Sequence, residues 1–413
     1  MDRTQELFLN ALRCALHSER VAWSEPLSDD EWSGISRLAR EHGVLPLLAE
    51  ALNGSSAAGS NTERWEALKR YARELTVTQA CRTAEFKLLY HFLCERGLRP
   101  VIVKGIVCRA LYPQPEQRVT VDEDLFIRTG ELDEYTKAFE EYGLVCDKPD
   151  AAAGEEYETT FKDGPRRLYI ELHTALFPTG SGAYGDCNLP FEGALDRSIE
   201  AETDGFAVRT LSPTDHLLYL MLHAYKHFLH SGMGLRHVCD IGLYASAHET
   251  DSRRIRRVCD ELSLSRLFAA VFAIGTDYLG LKPYPVFDDL DEDPEPLLGD
   301  MLTGGLYGTA DVNRAHSSHM TLEAAEAQKS GRRSRGFARA LFPPQKTLEA
   351  VCPALKKHPI LLPYAWAKRL WVYLGDRREG AADPVESLKI GSERVALLEN
   401  YGVIGGRRRG RRR

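Results

Sequence analysis

The sequence predicts a mixed α/β (α+β) fold, with a small mixed sheet embedded between helical regions. Two observations carry this. Apolar residues recur at helical spacing through most of the chain, and between residues 96 and 180 that spacing gives way to short β-branched runs punctuated by glycine and proline. The texture divides the 413 residues into a helical region 1–95, a sheet domain 96–180, a helical region 181–290 lining a cleft, a C-terminal helical region 291–400 and a basic tail 401–413.

In the first region, EWSGISRLAREHGVLPLLAEAL sets Trp32, Ile35, Leu38, Val44, Leu47 and Leu48 at helical or near-helical spacing, with a stop at His42-Gly43. The small polar run Asn53–Glu63 breaks the pattern before one or two long helices from Arg64 to Arg96. GLRPVIVKG, Gly97–Gly105, reads as a strand ending in a Lys-Gly turn, and IVCRALYP as a short helix after it. VTVDEDLFIRTG, Val119–Gly130, is a strand carrying three consecutive acids, and GELDEYTKAFEEYGL a helix closed by Gly143. YETTFKDGPRRLYIELH is a hairpin about Lys162-Asp163-Gly164-Pro165, with Glu171 on its second strand. SPTDHLLYLMLHAYKHFLH is a helix with Ser212 as N-cap and Pro213 in its first position, followed by a second helix, GLRHVCDIGLYASAHE. PVFDDLDEDPEPL, Pro285–Leu297, reads as a linker, and QKSGRRSRGFARALFPP as a basic loop feeding a last helical segment.

Apolar content of 43% and charged content of 27% are those of an ordinary globular protein. The chain has no apolar run of the roughly 20 residues that span a bilayer, and MDRTQELFLN lacks the layout of a signal peptide, so a cytoplasmic protein without a membrane partner is expected. Net charge is −7, and because the closing RRRGRRR supplies six positive charges the rest is more acidic still, which argues against a nucleic-acid partner. Nine cysteines, an odd number from Cys14 to Cys352 without a CxxC pair, read as reduced thiols.

The three acids need an explanation, because carboxylates in a sheet are costly without a positive partner. Strand alternation sends Asp122 and Asp124 to one side and Glu123 to the other, with the aspartates about 7 Å apart along the strand, so both can serve one cation. An exposed edge strand or a salt-bridged surface is the plainer alternative. Glu171, a third acid on an apolar strand, suits two-metal chemistry in which cations clamp the attacking and leaving oxygens of a phosphoryl displacement. Lys104-Gly105 closes a strand and opens a helix, where the glycine permits close backbone approach and the helix start attracts phosphate.

This order of elements resembles the DNA polymerase β-like nucleotidyltransferase superfamily, whose pattern is a Gly-Ser turn, a DxD or DxE strand and a third acid on a later strand. More narrowly, VIVKGIVCRALYP, RVTVDEDLFI, YIELHTALF, HAYKH, LAREHGVLPLL and the segment 342–370 are similar to the bacterial family called uncharacterised nucleotidyltransferase, which has Lys-Gly in place of Gly-Ser. The similarity is strongest from Pro100 to Asp240. It implies that residues 96–180 form the nucleotidyltransferase sheet domain, that Asp122, Asp124 and Glu171 are catalytic and hold Mg²⁺ or Mn²⁺, and that Lys104 and Gly105 contact the triphosphate. The partners it implies are a nucleoside triphosphate and an acceptor hydroxyl on a small molecule or protein. Glu123 departs from the pattern, whose middle position is usually apolar. It implies a locally exposed strand, a partner arginine or a degenerate site, and with the missing serine it supports a competing reading: a nucleotide-binding or scaffold protein that has lost catalysis.

Three further groups complete the reading. His223, His227 and His230 share a helix face and read as a zinc site, as packed or capping residues, or, following the family's HAxxH, as the wall of the nucleotide cleft with His227 nearest the phosphates. His173, two residues past Glu171, either orients that acid or packs in the core. Arg236 and Asp240 have the spacing of an i,i+4 ion pair, with Arg236 alternatively reaching a phosphate, while Arg118 either balances the acidic strand or binds the triphosphate. Trp366 and Trp371 read as core residues. Gly304–Gly308, without a preceding strand, is not a phosphate loop.

Overall fold

The computed structural model describes residues 1–147, 157–165, 168–203, 205–306, 312–330, 361–366 and 384–405. Its first region is helical: α1 (Arg3–Leu16), α2 (Asp29–Glu41), α3 (Leu45–Leu52), a single turn α4 (Ser56–Ser60) and α5 (Thr62–Glu95). Reciprocal caps start the first two, Asp2 with Gln5 and Ser28 with Glu31. The Arg64–Arg96 run is thus one continuous helix, and the break before it contains α4.

The sheet has seven strands among the described residues, in the order β3-β4-β5-β2-β1-β7-β6. They are β1 (Val101–Ile102), β2 (Glu123–Phe126), β3 (Val145–Cys146), β4 (Glu158–Asp163), β5 (Leu168–His173), β6 (Ile199–Thr203) and β7 (Phe206–Thr210). Central β2 runs parallel to β5 and antiparallel to β1, so the sheet is mixed as expected. The sheet also extends past residue 180, because β7 returns to pair in parallel with β1 and brings β6 with it. Between β1 and β2 lies α6 (Gly105–Arg109), and α7 (Leu132–Tyr142) ends at Gly143 with φ +99°.

The helices after the sheet carry the other half of the site. In α8 (Pro213–His230), the Ser212 side chain accepts from the Asp215 amide as the sequence predicts. Both ends of α8 are pinned by charge. Asp215 takes Arg197 and Arg254 near its start, while Arg394 donates to the His230 carbonyl and Arg314 to that of Ser231 at its end. Next come α9 (Leu235–Ala247), α10 (Ser252–Glu261), α11 (Ser265–Leu279), α12 (Glu295–Gly304) and α13 (Val312–Lys329). One continuous apolar core runs from Phe8 on α1 to Ile404.

The acidic stretch Pro285–Leu297 is an ordered strap rather than a linker. Phe287 is buried, and Asp289 and Glu292 pair with Arg256 and Arg266, so the acids are matched by neighbouring helices. Gly304 ends α12 and Gly305 follows at φ +69°, a helix stop. Trp366 packs against Ala365, whereas Trp371, Cys352 and most of the basic segment 328–344 lie outside the described residues. The eight described cysteines are free thiols, and no described helix is long and apolar enough to cross a membrane.

Candidate functional site

Strand β2 begins only at Glu123, and upstream of it the backbone of Val119 and Thr120 is held by side chains instead of a neighbouring strand. The Thr120 amide donates to Gln79 Oε1 at 2.8 Å, Arg82 donates to the Thr120 carbonyl at 2.9 Å, and Arg236 donates to the carbonyl of Val119. The alternation of the acids follows the sequence reading. Asp122 and Asp124 both turn to Lys104, whose Nζ lies 3.4 Å from Asp122 Oδ2 and 3.0 Å from Asp124 Oδ2.

Glu123 turns the other way and finds a partner arginine. Its carboxylate is buried, accepts the Ile106 amide at 3.1 Å and pairs with the Arg109 guanidinium, which also donates to Thr120 Oγ1 at 3.1 Å. Burial pushes its carboxyl up, and Arg109 opposes the rise. The same contact explains why residue 105 is a glycine. The glycine sits at φ +47°, and a Cβ there would lie 1.7 Å from Glu123 Oε2, so the close approach it permits is to the chain's own carboxylate, and the Ile106 amide of that turn is already taken.

On the neighbouring strand, Glu171 is the register partner of Asp124. His173 Nε2 lies 3.3 Å from Asp124 Oδ1 and 3.8 Å from Glu171 Oε2, so this histidine lies closer to the aspartate than to the glutamate it was expected to orient. Burial and then the charge of Asp124 push the Glu171 carboxyl up to about 8. For Asp124 burial acts in the same upward sense, but Lys104 and the hydrogen bond with His173 outweigh it and hold the group below the usual carboxylate range. Ligand atoms of Asp124, Glu171 and His173 lie within 4.8 Å of one another, with Asp122 joined to them through Lys104. Asp124 Oδ2 is buried and has the ion pair to Lys104 but no well-angled hydrogen bond. The cluster therefore holds more carboxylate than its own cation satisfies, and hard oxygen donors of this kind fit Mg²⁺ or Mn²⁺.

Behind Lys104 stand the histidines, in a different set from the expected one. His223 Nε2 lies 3.3 Å from Lys104 Nζ and 2.9 Å from His227 Nε2, and the third member is His237 of α9, with ligand nitrogens of all three within 4.8 Å. His230 instead stacks on Tyr184 at 5.6 Å, because i,i+7 spacing places it two turns further along α8. Burial, first among the causes, drives the His223 and His227 pKa values well below the ordinary range and that of His237 down to about 3, which favours the neutral ring in each.

Asp240 and Arg118 also differ from expectation. Arg118 Nε and Nη2 donate to the two Asp240 oxygens at 2.7 and 2.6 Å, and Tyr112 Oη adds a third bond at 2.7 Å. The close partner of Asp240 is thus Arg118 and not Arg236, and the charge of the buried Arg118 is met by α9. Arg236, with its bond to Val119, stays at the cleft wall.

The cleft has a volume of about 710 Å³. Its lining combines polar Lys104, Asp122, Glu171, Lys226, His227 and Arg236 with largely apolar Leu45, Pro46, Tyr71, Leu75 and Val121. Sequence reasoning missed Arg109, His237, Glu158 and Lys226. All four lie inside segments already singled out, Arg109 in VIVKGIVCRALYP, Glu158 in YETTFKDGPRRLYIELH, Lys226 in HAYKH and His237 in GLRHVCDIGLYASAHE, but local spacing gave no sign of what each would meet.

Compared with known proteins, residues 28–280, more than half of the chain, match the family model described as uncharacterised nucleotidyltransferase. No curated protein and no solved structure matches. The match ends before the segment 342–370, so the C-terminal part of the resemblance lies outside it.

Proposed function

The chain belongs to the uncharacterised nucleotidyltransferase family, and from that premise we propose that it transfers a nucleoside monophosphate from a nucleoside triphosphate to an acceptor hydroxyl, releasing pyrophosphate. The observation that carries this reading is the side-by-side placement of Asp124 and Glu171 on parallel strands, with Asp122 and Glu171 lining the cleft and Asp124 buried directly behind them. Asp122, Asp124 and Glu171 would hold Mg²⁺ or Mn²⁺, which when bound supplies positive charge to the α-phosphate and to the attacking oxygen.

The residues of the chain do the rest. The acceptor oxygen forms a bond to the α-phosphorus as the bond to the pyrophosphate oxygen breaks, and Glu171 is placed to take the hydroxyl proton. His173 fixes the Asp124 carboxylate, and Lys104 turns from the aspartates to the triphosphate when the cation takes its place. Helices α2, α3 and α5 contribute apolar lining to the cleft, which would help exclude water from the reacting atoms. The acceptor is a small molecule or a protein group, since the acidic body disfavours nucleic acid.

The competing reading, nucleotide binding without turnover, loses the support of Glu123, whose charge is matched inside the fold. It keeps the support of Lys104, which occupies the space between the two aspartates. Incubation with triphosphate labelled at the α- or the γ-phosphorus, in a pool of cell metabolites and proteins, separates the readings. Transfer requires α-label in a new product with equimolar pyrophosphate, both lost in Asp124→Asn. Movement of the γ-label, or of neither, refutes it.

A further inference from the structure

Helix α5 carries apolar residues on two opposite faces. One face is buried in the core through Trp65, Leu68, Ala72, Phe86, Leu89 and Leu93. The other steps by four and three residues through Arg70, Glu74, Val77, Cys81, Ala84, Leu88, His91 and Glu95, and each of these eight residues is exposed. We propose that this second face is a coiled-coil seam on which α5 of another copy of the chain packs antiparallel, giving a two-fold dimer. The proposal stands apart from the nucleotidyl-transfer reading and survives or fails without it.

The spacing is the first support. Alternating steps of four and three are the a and d positions of a heptad, and from Arg70 to Glu95 they run unbroken through more than three heptads, about 37 Å of helix at 1.5 Å per residue. A single exposed leucine needs no explanation. Here Val77, Cys81, Ala84 and Leu88 fill four consecutive seam positions, and Val77 and Leu88 keep 62% and 58% of their surface in water. Gln79, which holds Thr120, and Leu75, which lines the cleft, lie on the opposite side of the helix, so the seam is not part of the site already described.

Charge identifies the occupant. A two-fold axis midway between Cys81 and Ala84 sets Cys81 of one copy opposite Ala84 of the other, Val77 opposite Leu88, Glu74 opposite His91 and Arg70 opposite Glu95, each pair occurring twice. The inner pairs are then apolar, and the outer pairs join an acid to a base. His91 and Glu95 already meet at 3.3 Å within the helix, so Arg70 of the other copy adds a second cation to an acid held in place. A parallel copy would stack Arg70 on Arg70, Glu74 on Glu74 and Glu95 on Glu95. The seam therefore reads the same from both ends with the signs exchanged, which is the property of a surface complementary to itself about a two-fold axis. Small Cys81 and Ala84 at its centre allow close approach, while the polar outer positions fix the register at a cost in stability. The dimer is accordingly a reversible one.

The test is sedimentation equilibrium of the full chain in reducing buffer, with the fold of each variant checked by circular dichroism. Wild type is expected to show a reversible monomer–dimer equilibrium with a Kd of about 10 to 100 µM. Leu88→Glu sets an acid opposite Val77, and Val77→Lys an ammonium opposite Leu88, and each should weaken the dimer about tenfold or more. The double variant Val77→Lys with Leu88→Glu places lysine opposite glutamate on both sides of the centre and should recover much of the loss. In a parallel register it would place like charges together and recover nothing. A wild type that stays monomeric at about 200 µM, a dimer indifferent to Leu88→Glu, or a double variant no tighter than the single ones would each overturn the proposal. A monomeric wild type in which Cys81 also resists a thiol reagent would give the seam to another segment of the same chain, and overturns it equally.

Discussion

The two sides of strand β2 treat their carboxylates in opposite ways. Glu123, on one side, is buried and fully met by Arg109 and the Ile106 amide. Asp122 and Asp124, on the other, share one lysine while Glu171 stands opposite Asp124 with its carboxyl pushed up to about 8. Adjacent residues of one type thus do different work. A carboxylate matched within the chain holds the turn of α6 in place, whereas the surplus of carboxylate beside the cleft is, on the function proposed above, charge reserved for a bound cation.

The largest effect should come from the surplus side. Asp124→Asn is expected to lower transfer of the α-labelled group by about a thousandfold or more, with the fold retained by circular dichroism. Transfer surviving in that variant would make the two sides of β2 equivalent. Next comes the matched side: Arg109→Met strands the buried Glu123 and should cost about 3 to 5 kcal/mol in denaturant unfolding, while Arg109→Met with Glu123→Leu recovers most of it. A single variant as stable as wild type would remove Glu123 from its structural role.

Lys104 joins the two descriptions, since it neutralises the aspartates in the ion-free protein. Lys104→Ala should therefore melt lower than wild type in chelator, gain more from added Mn²⁺, and show a raised KM for nucleotide. Its Nζ lies between two carboxylates and a histidine. The smallest effect belongs to a third carboxylate, buried Asp215. Burial raises its pKa, but hydrogen bonds from Arg197, Arg254 and Ser212 hold it below 3.8 overall. A depressed folded pKa gives stability that is full above the unfolded value and lost as pH falls through the folded one. Asp215→Asn should accordingly be less stable than wild type at neutral pH, with the gap closing below about pH 4 in acid-unfolding curves. A gap that widens in acid would reverse the assignment.

The parts of the site legible in the sequence were those that depend on local periodicity. Alternation put Asp122 and Asp124 together and Glu123 apart, and the hairpin ending in LYIELH delivered Glu171 to a strand that pairs with β2. What escaped notice depends on contacts between distant segments. The partner of Glu123 is Arg109, at the end of a five-residue helix, and the third histidine is His237, brought in by the crossing of α8 and α9 in place of His230. Helical spacing joined Asp240 to Arg236, yet Arg118 reaches it with two parallel bonds from 122 residues away. The acidic strap Pro285–Leu297 read as a linker because its matching arginines lie on α10 and α11.

The central claim is that the unmatched side of β2 is a cation-dependent nucleotidyl-transfer centre. A crystal structure of the protein with Mn²⁺ and a triphosphate that is non-hydrolysable between the α- and β-phosphorus tests it most directly. The account predicts anomalous density held by Asp122, Asp124 and Glu171, with Lys104 withdrawn from the aspartates and the α-phosphate at that density. Manganese elsewhere, or a triphosphate bound in the cleft while Lys104 still pairs with Asp124 and no ion lies between them, would contradict it.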